Sequence, residues 1–462
     1  MRRTPTLLAA VLALAPAAAL AQAAVVEKSS SATLTETATG ERLTERTTTV
    51  AVVAEKKSPI TFTPYGFVML NALFNDSPFS GNKTYPGFPT PCPSIGATNG
   101  CNVGGLFLMN ANQSRLGLRI AFDDEAGWTK ARLSALFEVD FGGGIAGGST
   151  SASAFYNPVL RLRKAYMDAA WGVFSIRAGQ DDRLVSPLRA TSLAWIQQPL
   201  FQFSGLLHGR APMLALRLIA EPKDGFAWSL VAAALNPQDA TLTANGVSPG
   251  ASADFGAGNR SRMPAFEGRV SAGIRAGGKK LADLGIWGGI QKNRYVVPSV
   301  AGGTANTDTD VTANIFGADL TLNLWIFNVL GSIYQAHGYD APGALPSQGV
   351  AFALTGTALT VPVDATAVKA TGGWFQVNVR PFEGLGLYGG WGGTQTPYNE
   401  LTGTQSQAVD ARVQNFTWAV GAIAYAGRNW RFGAEYAVTR SWFWSGGFAD
   451  GGQLAISSQL VF

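Results

Sequence analysis

Apolar and polar residues alternate along most of this chain, and the last ten residues show the pattern clearly. Leu454, Ile456 and Phe462 share one face of an extended segment, whereas Ser457 and Gln459 lie on the other. A period of two predicts a β-strand between an apolar and a polar environment. An exposed strand edge promotes aggregation, and a barrel that closes its last strand onto its first removes that edge.

The same alternation recurs from residue 61 onward, in segments of strand length separated by turns. The predicted strands cover residues 62–75, 113–123, 128–141, 160–171, 172–180, 212–221, 226–236, 264–275, 284–297, 313–324, 326–338, 370–380, 385–396, 414–425, 430–442 and 453–462. Long connections alternate with very short ones, as expected of bacterial barrels with an even number of strands. The sequence therefore predicts an all-β fold, a transmembrane antiparallel β-barrel of about 16 strands over residues 61–462.

The amino-terminal residues predict export. Met1, Arg2 and Arg3 precede a short apolar run, and residues 21–23 fit a small-x-small cleavage site, so residues 1–23 are interpreted as a signal peptide. Residues 24–60, rich in Thr, Ser and Glu, are predicted to form a flexible periplasmic arm. We expect the outer membrane of a Gram-negative bacterium, with membrane lipid as a partner. Phe462 resembles the terminal signature that the barrel assembly machinery reads.

Composition is consistent with one surface facing lipid. Charged residues make up 14% of the chain, against about 25% in soluble domains. The net charge of +5 is small and does not suggest a nucleic-acid partner. Cys92 and Cys101 lie in one Gly- and Pro-rich segment. A local disulfide is predicted in an oxidising compartment, with two free thiols as the alternative. No His or acid accompanies them to form a metal site.

Strand parity places many basic residues on the inner face of the barrel, because a charge on the lipid face is costly. The predicted pore-lining and anion-binding residues are Arg115, Arg119, Lys130, Arg132, Arg161, Arg163, Arg177, Arg217, Arg269 and Arg275, against the inward acids Glu138, Asp140 and Glu267. Lys164 breaks the alternation and is assigned to a subunit contact or the membrane rim. A basic inner wall favours anions. The alternative is that the bases only pair with acids and leave little net field.

One long connection, residues 181–208, is unusually apolar for an extracellular loop. It carries the polar residues Asp181, Asp182, Arg183, Arg189 and His208 among Leu, Trp, Ile and Phe side chains. We expect it to fold into the lumen and form a constriction. Packing at a trimer interface is the alternative.

Several pieces of sequence resemble DcaP-like trimeric outer-membrane porins. They include residues 112–118, 137–142, 161–166 and 178–180 and three later stretches, 264–270, 316–320 and 372–376, in the order and spacing of that family. The resemblance implies a homotrimer in which a loop after the Gly179-Gln180 step folds into the pore. The chain departs from the family at Asp181-Asp182-Arg183, where a Trp/Ser-rich step is common.

The sequence thus predicts a porin for passive diffusion of small hydrophilic solutes that favours anions such as carboxylates. A phosphate-selective or general non-selective porin is the alternative. An enzyme is disfavoured, because the two histidines, His208 and His337, lack a recognisable nucleophile motif. A plugged structural barrel is also disfavoured, because no plug domain is evident. No cofactor is expected.

Overall fold

The fold is known from a computed structural model that describes residues 60–76, 89, 105–122, 130–143, 159–237, 257–297, 307–339, 349–355, 361–404 and 411–462. The predicted signal peptide, almost all of the amino-terminal arm, and Cys92 and Cys101 lie outside these residues. No helix in the described ranges is long and apolar enough to cross a membrane.

Nineteen strands account for nearly all the regular structure of the described residues. They are β1 (Ile60–Asn75), β2 (Leu106–Asn110), β3 (Arg115–Phe122), β4 (Arg132–Asp140), β5 (Arg161–Trp171), β6 (Phe174–Asp182), β7 (Arg210–Ala220), β8 (Gly225–Leu235), β9 (Ala265–Ala276), β10 (Lys279–Val297), β11 (Thr307–Leu324), β12 (Phe327–His337), β13 (Val350–Thr355), β14 (Val361–Ala367), β15 (Lys369–Phe382), β16 (Leu385–Gln395), β17 (Arg412–Ala426), β18 (Trp430–Phe443) and β19 (Phe448–Val461). A short helix, α1 (Ala257–Arg260), precedes β9, and a 3₁₀ helix (Tyr398–Leu401) follows β16.

The strands form a closed antiparallel barrel of sixteen strands. Closure runs between the first and last strands, with Phe67 opposite Val461 and Asn75 opposite Gln453. On its other side β1 pairs with β3 along its first half and with β2 along its second half. Because β2 and β3 occupy one position in the barrel, the prediction of about 16 strands is confirmed.

Two features of the strands are not predicted by the alternation of apolar and polar residues. The predicted strand 113–123 begins only at Arg115, since Ser114 leaves the ladder and its Oγ accepts a hydrogen bond from Met69 N at 3.0 Å. The hairpin β13–β14 lies in the connection between β12 and β15. It packs on the long-loop end of β10 and β11, where Phe352 meets Tyr295 edge-on with ring centroids 5.5 Å apart.

The outer face of the barrel is an apolar band. Side chains such as Ile286, Ile333 and Leu454 expose 65%, 67% and 40% of their surface, while their strand neighbours on the other parity are buried. So much contiguous apolar surface is stable only against lipid. The protein is therefore an outer-membrane β-barrel.

The two rims of the barrel differ. On one rim, the connections that follow β5, β9, β11 and β15 contain two residues each, and both ends of the barrel chain lie there. On the other rim, long connections follow β1, β4, β6, β8 and β12. Short turns face the periplasm in such barrels and long loops face the exterior, which sets the orientation used below.

Candidate functional site

The lumen is crossed by the connection between β6 and β7, residues 183–209, here called L3. Strand β6 continues through Asp181 and Asp182, so L3 begins at Arg183. Most of its apolar side chains are buried against the inner faces of β1, β12 and β15 to β19, in one cluster that includes Leu193, Trp195 and Phe201. Burial against the wall explains why a long loop of an outer-membrane barrel carries so many apolar residues.

The root of L3 is held by a buried polar clamp. Arg183 donates from Nε to Glu267 Oε1 at 2.7 Å and from Nη2 to Tyr339 Oη at 2.6 Å. The Glu267 carboxylate also accepts from Leu184 N at 2.8 Å and from Tyr339 Oη at 2.8 Å. Burial raises the pKa of Tyr339 well above its usual range, so Tyr339 stays a hydrogen-bond donor. The clamp ties L3 to β9 and to Tyr339, the second residue after β12.

The middle of L3 is fixed by side-chain amides of the wall. Gln113 Oε1 accepts from Ile196 N at 2.9 Å, and Asn71 Nδ2 donates to Ala194 O at 3.2 Å. Gln376 bonds both backbone groups of Thr191, at 2.6 and 2.8 Å. Gln113 is available for this contact because the ladder is interrupted next to it.

The far turn of L3, residues 201–206, lies against glycines of the wall. A Cβ on Gly392 would stand 2.1 Å from Ser204 O, and Gly205 has φ +92° with its own Cβ position 2.2 Å from Gly373 O. Ser204 Oγ shares a hydrogen bond with Thr417 Oγ1 at 2.7 Å, and Asn415 Nδ2 donates to Phe203 O at 3.0 Å. Glycine is required where two backbones approach this closely.

Next to L3, the wall formed by β3 to β7 carries two adjacent groups of ion pairs, here together called the charge network. Its bases are Arg115, Arg161, Arg163, Lys164, Arg177, Arg189, Arg210 and Arg217, and its acids are Glu138, Asp140, Asp168, Asp181 and Asp182. Eight bases therefore share five acids.

Arg163 lies at the centre of the network. Its side chain is fully buried and bridges Glu138 and Asp140, both at 2.7 Å, because a register shift in β5 adds one residue opposite β4. The same shift turns Lys164 inward, where Nζ contacts Asp181 at 2.9 Å and Asp182 at 2.7 Å. The assignment of Lys164 to a subunit contact or the membrane rim is therefore wrong.

Asp182 gathers three cations at the root of L3. It pairs with Lys164 Nζ at 2.7 Å, Arg189 Nη2 at 2.7 Å and Arg210 Nε at 3.1 Å. His208 Nε2 accepts from Arg210 Nη2 at 2.9 Å. Burial lowers the pKa of His208 well below its usual range, and the positive charges of Arg189 and Arg210 lower it further. His208 is therefore neutral at physiological pH.

Of the other predicted pore residues, Arg119 stacks over the Tyr65 ring at 5.0 Å, and Arg132 is exposed at the start of β4. Arg269 pairs with Asp319 at 2.7 Å and Asp283 at 3.4 Å. Arg275 pairs with Glu221 at 3.1 Å at the short-turn rim. Lys130 lies in the turn before β4 with φ +52°, so the strand alternation that gave it an inward position does not extend to it.

Several inward acids were missed. Asp168, Asp283, Asp319 and Glu435 all occupy inward positions of their strands. Parity would have found Asp283, Asp319 and Glu435, whereas Asp168 faces inward only because of the extra residue in β5. Glu435 is buried beneath L3 and accepts from Tyr388 Oη at 2.6 Å. The inner face as a whole thus carries a smaller excess of basic over acidic residues than predicted, and the base-rich part is confined to the charge network.

Neither a model of a protein family nor a curated protein sequence matches the chain. Among solved structures, the outer membrane channel DcaP of Acinetobacter baumannii is similar over 88% of this chain and 99% of its own, with 15% identity and a TM-score of 0.62. A loop-deletion mutant of OmpT, an outer membrane protein of Vibrio cholerae, is similar over 88% of this chain and 100% of its own, with 11% identity and a TM-score of 0.50. The chain has a DcaP-like porin fold.

Proposed function

We propose that this chain, with its DcaP-like porin fold, is a passive pore for small hydrophilic solutes that favours anions such as carboxylates. The single observation that carries the preference is the surplus of bases in the charge network beside L3. Among the described residues of that network, three positive charges are left after every acid is matched with a base.

The surplus can act on ions because part of the network is open to the lumen. The side chains of Arg161 and Arg217 are 31% and 25% exposed, whereas Arg163 is fully buried. Buried members therefore set the positions of the exposed ones. Fixed positive charge in a narrow, low-dielectric passage concentrates anions and speeds their entry. Guanidinium groups also bind carboxylate and phosphate in a bidentate manner.

Phosphate selectivity and a non-selective pore are the alternatives within the same class. Phosphate selectivity would follow if the three cations that surround Asp182 bound phosphate strongly. Complete pairing of bases and acids would give a non-selective pore. An enzyme is the rival of another class. Neither histidine supports it, since His208 is engaged with Arg210 and His337 lies on the outer face.

A homotrimer is part of the proposal. Strands β3, β4 and β6 are short, with eight or nine residues, whereas β10 and β11 have 19 and 18. A wall of short strands spans less of the hydrocarbon layer, and contact with another subunit would shield it from lipid. We expect Phe462 to engage the barrel assembly machinery and Cys92 to pair with Cys101.

Reversal potentials in a salt gradient across planar bilayers test the preference. The variant Arg119→Ser/Arg132→Ser/Arg217→Ser removes Arg217, an exposed base of the network, together with Arg119 and Arg132, two inward bases that lie outside it. An ion passing at about 7 Å from one such charge in water gains about 0.6 kcal/mol, so each charge changes the anion-to-cation ratio by a small factor. We expect wild type to be anion-selective and the variant to lose most of that preference.

Arg440→Ser is the matched control, because Arg440 faces outward and pairs with Asp450. It should leave the reversal potential unchanged. A wild-type protein that prefers cations, or a triple variant with the wild-type potential, contradicts the anion preference. A barrel that shows no conductance at all contradicts the pore.

A further inference from the structure

We propose that the outer surface of this barrel binds the phosphorylated headgroup of an outer-leaflet glycolipid. The site is a group of basic side chains at the long-loop end of β10 to β15: Lys292, Arg294, His337 and Lys369, here called the rim patch. It is separate from the lumen and does not depend on which solute the pore admits.

The rim patch lies directly above the apolar band. Lys292 and Arg294 continue the outward row of β10 that contains Ile286 and Ile290, which are 65% and 50% exposed. His337 continues the outward row of Ile333 on β12. These positions coincide with the boundary between hydrocarbon and headgroups, and the long-loop rim places them in the outer leaflet.

The patch keeps positive charge after its internal pairing. Asp310 is shared by Lys292 Nζ at 2.7 Å and Arg294 Nε at 2.7 Å, and both bases remain about a third exposed. Lys369 is 57% exposed and touches Glu400 at 3.2 Å. An exposed pair of this kind contributes little by itself and can exchange its partner for a phosphate.

Strand register sets the size of the patch. Lys292 is opposite Thr312 on β11, and His337 is opposite Lys369 on β15. With strands about 4.8 Å apart and residues about 3.3 Å apart, the Lys292–Arg294 pair lies on the order of 12–16 Å from the His337–Lys369 pair. A disaccharide headgroup with a phosphate at each end can engage both pairs, whereas a single free phosphate reaches only one.

Lipid is favoured over a second copy of the chain by the position of the patch around the barrel. In the closed strand order, β12 stands opposite β4. The long strands β10 and β11 therefore face away from the wall of short strands where a subunit contact is expected. Basic groups at a membrane surface bind anionic headgroups through the same charge attraction.

Native mass spectrometry of the purified barrel in detergent, titrated with diphosphorylated lipid A, tests the site. Phosphate-free lipid A serves as the comparison ligand. The variant Lys292→Gln/Arg294→Gln/Lys369→Gln removes three cations, each expected to contribute about fivefold to binding. We expect at least tenfold weaker binding of the diphosphorylated lipid by this variant, and weak binding of the phosphate-free lipid by both proteins.

The control variant is Arg440→Gln/Asp450→Asn, which neutralises an outward ion pair at the same rim on β18 and β19. It should bind lipid A like wild type. Wild-type affinity in the triple variant, equal loss in the control, equal binding of phosphate-free lipid, or displacement of the lipid by inorganic phosphate at equal concentration would each overturn the proposal. So would dissociation of an oligomer in the triple variant with lipid binding intact. Wild-type conductance of the triple variant in bilayers shows that its barrel has folded.

Discussion

Replacing Glu267 with Gln should release the root of L3 from the barrel wall. Glu267 and Arg183 are each 3% exposed, and the Glu267 carboxylate accepts from Arg183 Nε, Tyr339 Oη and Leu184 N at 2.7, 2.8 and 2.8 Å. Glutamine keeps the shape and one acceptor oxygen but removes the charge. It leaves the buried guanidinium of Arg183 without the negative charge of Glu267.

Removing one partner of a buried ion pair typically destabilises a protein by about 3–5 kcal/mol. Tyr339→Phe removes only a neutral donor, so a loss of about 1 kcal/mol is expected for that variant. Arg183→Met/Glu267→Gln removes both charges together. The loss of unfolding free energy in this double variant should therefore be smaller than the sum of the losses in Arg183→Met and Glu267→Gln.

Two measurements check this prediction. Urea unfolding in lipid vesicles, followed by tryptophan fluorescence, gives the free energy of unfolding of each variant. Single-channel recording should show larger or noisier open currents in Glu267→Gln, because the middle and far turn of L3 keep their own anchors while the root moves. A Glu267→Gln protein that matches wild type in both measurements would show that the clamp does not hold L3.

Other contacts give further predictions. Gly392→Ala should displace the far turn of L3 and raise both conductance and protease cleavage within L3, whereas Gly393→Ala, whose Cβ would meet no atom closer than 3.5 Å, should change neither. His208→Gln should leave conductance unchanged from pH 6 to 8, because the pKa of His208 lies well below its usual range and the ring is neutral there. Below pH 6.5, His208 binds a proton in the unfolded chain but not in the folded chain, so wild type should lose up to about 1.4 kcal/mol of stability per pH unit relative to His208→Gln. Equal losses of stability for the two proteins in urea titrations would contradict this prediction. Arg163→Met should lower stability by about 3–5 kcal/mol in the same titrations, since it leaves Glu138 and Asp140 buried together, and a loss below 1 kcal/mol would be inconsistent with its central place.

The barrel could be predicted from the sequence because strands facing lipid on one side and the lumen on the other impose a period of two. The rule fails where the period is broken. One extra residue in β5 moved Lys164 from the expected outer face to the inner one. The interruption before Arg115 freed Gln113 for L3. Lys164 breaks the alternation, but this signal did not give the extra residue as its cause. The interruption before Arg115 has no signal in the order of apolar and polar residues.

The lumen was less predictable than the wall. That L3 is apolar can be read from the chain, but its anchors are far away in sequence. Arg183 meets Glu267 84 residues later, and Ser204 meets Thr417 213 residues later. Strand parity also predicts which face a side chain lies on but not which residue it pairs with. It identified Arg269 as inward but did not show that Asp319 neutralises its charge.

The seat of L3 on the glycines of β15 and β16 has a consequence for the order of folding. L3 follows β6 in the chain, yet its far turn rests on strands that come about 170–190 residues later. Docking of L3 on these strands is expected to be slow, because closing so long a loop costs chain entropy. The seat does not exist until β15 to β17 have paired. We therefore expect the barrel to close first around a wide lumen and L3 to dock last, so that L3 is the final part of the molecule to acquire its structure.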